Sequence, residues 1–121
     1  MITFYCYAVL PAAPTLTGPT NLTPRQSGIW FCTSVNGYPA GIMSMRNQET
    51  NTTFMNEFTS TNVLRLAEKS FVVTGTLRWS PTLLTNESVI CCDVMHPTTL
   101  GNFAQTICLK ISGFRKYFSF L

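Results

Sequence analysis

No window of a dozen residues in this chain keeps apolar side chains at the i, i+3, i+4, i+7 spacing with which a helix buries one face. Seven Pro and seven Gly are spread along the 121 residues, so a helix of ordinary length would be interrupted almost wherever it began. Short runs that alternate with a period of two appear instead. From 71 to 79, Phe71, Val73, Leu77 and Trp79 fall on one face and Val72, Thr74, Thr76 and Arg78 on the other, with Gly75 interrupting the apolar row. Ser80-Pro81 ends this strand. A second run, 29–35, places Trp30, Cys32 and Ser34 together, and Asn36-Gly37-Tyr38-Pro39 predicts a turn after it.

The run 88–96 contains two adjacent cysteines, and parity separates them. With Asp93 facing water, Ile90, Cys92 and Val94 face inward and Cys91 faces outward. Further strands are expected at 42–46, around 63–66 and at 103–111, where Phe103, Gln105, Ile107 and Leu109 alternate with Ala104, Thr106, Cys108 and Lys110. About seven short strands separated by Pro, Gly and Asn turns predict an all-β chain folded as a β-sandwich. No internal repeat occurs. The expected organisation is one domain over 12–112, a strand and linker at 1–11, and a tail at 113–121.

Charged residues make up 11% of the chain, about half the share usual in soluble domains, while 45% is apolar. Such a chain buries a core and is not disordered. A net charge of +3 with scattered Lys and Arg argues against a nucleic-acid partner. Ser, Thr and Asn carry the polarity. Three glycosylation sequons begin at Asn21, Asn51 and Asn86, the first weakened as an acceptor by Pro24 directly after it. Five cysteines, the sequons and the low charge together predict the secretory route and an extracellular or cell-surface location. Residues 1–10 have no Lys or Arg, and their β-branched and aromatic content reads as strand rather than leader. No apolar run is long enough to cross a bilayer as a helix.

Catalytic chemistry finds little support. His96 is the single histidine and follows Cys92 by four residues on the same face, about 13 Å away at strand rise, too far to activate the thiol directly. Cys91 and Cys92 point to opposite faces of one strand, and no second Cys/His cluster completes a zinc site. There is no phosphate-binding glycine loop or metalloprotease helix motif, and the carboxylates are dispersed. Neither an enzyme nor a bound cofactor is expected. Cys6, Cys91 and Cys108 are left either to pair with one another, to stay as small buried hydrophobes, or to form an intermolecular bridge giving a covalent dimer.

Cys32 and Cys92, 60 residues apart and each inward-facing, have the layout needed to join two packed sheets across an immunoglobulin-type core. Closing a loop of that size withdraws about 4 kcal/mol of unfolded-state freedom in the chain-entropy description. The usual Trp on the strand after the first cysteine is absent, since Ile42, Met43, Ser44 and Met45 stand there, so Trp30 or Trp79 is expected to fill that volume. Ile90 stands where a corner Tyr is usual.

Cys92-Asp-Val-Met-His96 resembles the late-strand pattern of constant-type immunoglobulin domains. Cys32-Thr-Ser-Val-Asn-Gly-Tyr-Pro39, with Met43-Ser44, is similar to the membrane-proximal domain of the T-lymphocyte costimulatory ligands, the B-seven group, one of whose members also lacks the core Trp. The segment from Cys92 to Thr106 looks like the corresponding domain of the OX-two membrane glycoprotein, a related inhibitory ligand. The resemblance covers about Thr15 to Ile111. It implies an extracellular recognition or spacer domain whose partner is a protein receptor on immune cells. In those ligands a preceding variable-type domain makes most of the receptor contact, so residues 1–10 would be the end of such a domain and membrane attachment would come from a segment outside this chain. A secreted modulator or viral mimic that binds the receptor directly is the alternative.

Overall fold

The computed structural model describes residues 13–22, 26–38, 40–67, 69–80, 87–98 and 101–113. Among them are nine strands and no helix: β1 Thr15–Thr17, β2 Asn21–Leu22, β3 Gly28–Gly37, β4 Ile42–Asn47, β5 Thr52–Thr53, β6 Phe58–Arg65, β7 Ser70–Trp79, β8 Glu87–Thr98 and β9 Gly101–Gly113. They form two sheets, ordered β1-β3-β7-β6 and β2-β9-β8-β4-β5. All pairings are antiparallel except β2 with β9. The all-β sandwich expected from the alternation is therefore present. Four strands and three strands repeat the expected frame of seven, and the two-residue β2 and β5 add one strand at each edge of the second sheet.

The core lies between the sheets and is built by the inward parity of each strand. Trp30 and Cys32 of β3, Val73 and Leu77 of β7, Met43 and Met45 of β4, Ile90, Cys92 and Val94 of β8 and Ile111 of β9 are all buried. Burying such side chains contributes about 1.5–3 kcal/mol each. Trp30 is fully buried and donates its indole N–H to the Pro19 carbonyl at 2.8 Å. Trp79 packs against it at 6.1 Å between ring centroids and meets Phe54 at 5.0 Å.

Gly75 faces Cys32 directly across the β3–β7 pair. A Cβ there would run into the Phe58 ring and the Met43 sulfur, so the interruption in the apolar row is the gap into which β6 and the opposite sheet insert side chains. Two local expectations change. β3 continues to Gly37 through a register shift after Ser34, and Tyr38 still pairs, so Asn36-Gly37 lies in a strand rather than in the expected turn. The strand read around 63–66 starts five residues earlier, at Phe58, because β6 is an edge strand whose side chains are almost all exposed and show no buried alternation. The strand-and-linker reading of 1–11 lies outside the described residues, as does the tail beyond Gly113.

Candidate recognition surface

The outer face of β4, β8 and β9 is assembled row by row from the strand register. Ile42, Met95 and Ala104 stand opposite one another, followed by Ser44, Asp93 and Thr106, then by Arg46, Cys91 and Cys108. The first row is apolar and open to solvent: Ile42 is 70% exposed, Met95 41%, and Ala104 is exposed as well. An exposed apolar row beside polar groups makes this face a candidate protein-binding patch.

The second and third rows are tied together. Arg46 donates its Nε–H to Asp93 Oδ2 at 2.8 Å across the diagonal of the β4–β8 pair, and the Thr106 hydroxyl donates to Asp93 Oδ1 at 2.7 Å. Both carboxylate oxygens are thus engaged, and the side chains of three strands are held in one arrangement. The ion pair is about 30% exposed on each side, so its value to stability is small, about 0–1 kcal/mol. Its effect is to present a fixed polar cluster next to the apolar row.

Cysteine placement follows from the same register. Cys32 and Cys92 form the expected disulfide between the sheets, with Cα atoms 6.5 Å apart. Cys91, on the outer face as parity required, is bonded to Cys108 directly opposite it on β9, with Cα atoms 4.0 Å apart. This second bond is the pairing of two leftover cysteines rather than an intermolecular bridge for either of them. The signal was present in the sequence, where Cys91 and Cys108 both fall on the polar parity of their strands, but parity alone does not give the register that puts them opposite. Four thiols are consumed in disulfides, and Cys6 lies outside the described residues.

His96 faces inward near the end of β8, is 1% exposed, and neither ring nitrogen has a hydrogen-bond partner among the described residues. It is a core residue and does not approach the outer face. Of the sequon residues, Asn21 is exposed on β2, and Asn51 is exposed in the β4–β5 turn with a left-handed φ of 54°, a conformation Asn tolerates. Asn86 lies outside the described residues. Among the described residues no three His, Cys, Asp or Glu side chains converge as metal ligands.

No protein-family model and no curated protein sequence matches the chain. Solved structures do. Rst D1-D2 superposes with a TM-score of 0.74 at 16% identity, covering 86% of this chain and 49% of that one. The full ectodomain (Ig1-Ig3) of mouse nectin-like molecule 4 gives 0.71 at 9% identity, with 87% and 35% covered. A chain of the crystal structure of ICOS in complex with ICOS-L and an anti ICOS-L VNAR domain gives 0.63 at 22% identity, with 84% and 44% covered. The chain spans about half or less of the length of each. At these identities the likeness is one of fold, and together with the two-sheet topology and the Cys32–Cys92 bond between the sheets it establishes an immunoglobulin-like β-sandwich.

Proposed function

We propose that the chain is a non-catalytic, extracellular recognition and spacer domain of an immune-cell surface ligand, costimulatory or inhibitory towards lymphocytes or myeloid cells. The observation that carries this reading is the two-sheet sandwich closed by the Cys32–Cys92 bond, a fold shared with the ectodomain of mouse nectin-like molecule 4. The similarity to one chain of an ICOS–ICOS-L complex supports the immune setting. The constant-type, B-seven-like and OX-two-like features of the sequence support the position next to a membrane. On this reading residues 12–112 are the domain, with 1–11 joining it to a preceding variable-type domain and 113–121 leaving it. Glycans at Asn51 and Asn86, and weakly at Asn21, cover outward surface. Any covalent dimer runs through Cys6, since Cys91 and Cys108 are bonded to each other.

A second reading, a secreted modulator or viral mimic that binds an immune receptor directly, is favoured by the openness of Ile42 and Met95. Fluorescent tetramers of the whole chain on lymphocytes and myeloid cells separate the two. The spacer reading expects no saturable staining until a variable-type domain encoded upstream is joined. Saturable staining by the chain alone, abolished by Ile42→Asp or Met95→Asp, replaces it with the direct-binding reading. Intact mass before and after glycan removal, for the parent chain and for Asn51→Gln and Asn86→Gln, checks the secretory assignment.

A further inference from the structure

Among the described residues, three of the four sheet edges are short. β1 has three residues, and β2 and β5 have two each, too few to offer a run of unpaired backbone groups. The fourth edge is β6, with eight residues, about 26 Å at strand rise. Its pairing with β7 runs from Phe58↔Leu77 to Arg65↔Ser70 without a register shift, so no bulge twists it away. It contains no Pro and no Lys, and Phe58 to Leu64 carries no charge at all. Val63 and Leu64 are 60% and 43% exposed. The edge therefore lacks the devices that usually prevent one sheet from adding to another.

We infer that β6 is a self-association edge, pairing antiparallel with β6 of a second copy about a two-fold axis at Thr61 and joining two four-stranded sheets into one of eight. The occupant and the register follow from the sequence of the strand. Directly opposite residues of an antiparallel pair face the same side, so a two-fold with both outer faces aligned must pass through a residue rather than between two. With the axis at Thr61, Glu57 stands opposite Arg65 of the second copy, and symmetry makes this ion pair twice. Phe58 stands opposite Leu64 and Ser60 opposite Asn62, so apolar meets apolar and amide meets hydroxyl on the inner face, while Thr59 stands opposite Val63 on the outer one. Axes at Ser60 or Asn62 oppose Glu57 to Val63 or Ala67 and forfeit both ion pairs. Glu57 is already part of the extended segment, since its carbonyl accepts the Arg78 N–H at 2.9 Å. Glu57 and Arg65 are both exposed, and Arg65, which already has a contact within its own chain, exchanges it for Glu57 of the second copy on pairing. An isologous dimer of this kind needs no residue of the β4-β8-β9 face and leaves that face open on both copies.

The test is sedimentation equilibrium of the whole chain carrying Cys6→Ser, which removes the thiol left over from the two disulfides. A reversible dimer that dissociates on dilution is expected. Glu57→Arg and Arg65→Glu each place like charges opposite at both ends of the pairing and should weaken the dimer about tenfold, while the two together should restore it to within about twofold. Thr61→Cys should cross-link to dimer under mild oxidation, its Cα atoms lying about 5 Å apart across the axis, and Thr59→Cys should not. A chain that stays monomeric up to about 1 mM overturns the proposal. So does a dimer indifferent to the charge exchange, one that Thr59→Cys captures as readily as Thr61→Cys, or one that forms only with Cys6 intact.

Discussion

Cys91 and Cys92 are neighbours in the chain and bond in perpendicular directions: Cys92 crosses the core to Cys32 on the other sheet, while Cys91 reaches along its own sheet to Cys108. Successive side chains of β8 point to opposite faces, so two adjacent cysteines serve two separate purposes. One joins the layers of the sandwich. The other fastens the β8–β9 pair beneath the candidate recognition surface.

The two bonds should differ in what they contribute. By loop length the Cys32–Cys92 bond is worth about 4 kcal/mol and the Cys91–Cys108 bond about 3 kcal/mol, and removing the first also leaves space in the core. In guanidinium denaturation, Cys32→Ala with Cys92→Ala should lose more than about 4 kcal/mol or abolish folding. Cys91→Ala with Cys108→Ala should lose about 2–3 kcal/mol and leave a cooperative transition. Equal losses would contradict the assignment of one bond to the core between the sheets and the other to the outer face of a single sheet, where Cys91 is itself covered.

Gly75→Ala should destabilise by about 1–3 kcal/mol through overpacking, because the new methyl meets the Phe58 ring and the Met43 sulfur. The penalty should shrink when Met43→Ala is made first. A double-mutant cycle on unfolding free energies reads this directly, and full additivity would show that the gap at Gly75 is not shared with Met43.

The Arg46–Asp93 pair should show a coupling of about 0.2–1 kcal/mol in a double-mutant cycle, decreasing as salt is raised. Stability is therefore a poor readout of its importance. If the pair serves to hold the recognition surface, Asp93→Ala should change binding of a partner to this face while changing the melting temperature little.

His96→Leu should be neutral or stabilising by up to about 1 kcal/mol, since it removes two buried nitrogens that have no hydrogen-bond partner among the described residues. His96→Lys buries an amine that must stay charged without a partner or give up its proton, and should cost about 3 kcal/mol or more. Thermal unfolding of both variants checks the pair, and a large loss in His96→Leu would show that the imidazole makes a polar interaction in solution.

Much of the core is legible in the sequence because a strand has a side-chain period of two whatever it pairs with. The inward assignment of Ile90, Cys92 and Val94 needs only that period and one outward anchor, Asp93, and the shared face of Trp30, Cys32 and Ser34 needs only the period. β6 is legible only in part, since an edge strand with nearly every residue exposed writes no alternation into its sequence. The bulge after Ser34 is hidden for a related reason: Asn-Gly is compatible with a turn and with an irregular strand, and the partner strand β7 selects the latter. The candidate surface is harder still, because Ile42, Met95 and Ala104 lie in three separate runs of the chain.

By itself the sequence determined the layer architecture, the faces of the main strands and the Cys32–Cys92 bond, all of which depend on local parity and on what must be buried. Only the tertiary structure decided the Cys91–Cys108 bond, the row of Ile42, Met95 and Ala104, and the exposure of β6 as a long edge. Each of these depends on register and strand order, and those are set by contacts between residues far apart in the chain, to which no local period gives access.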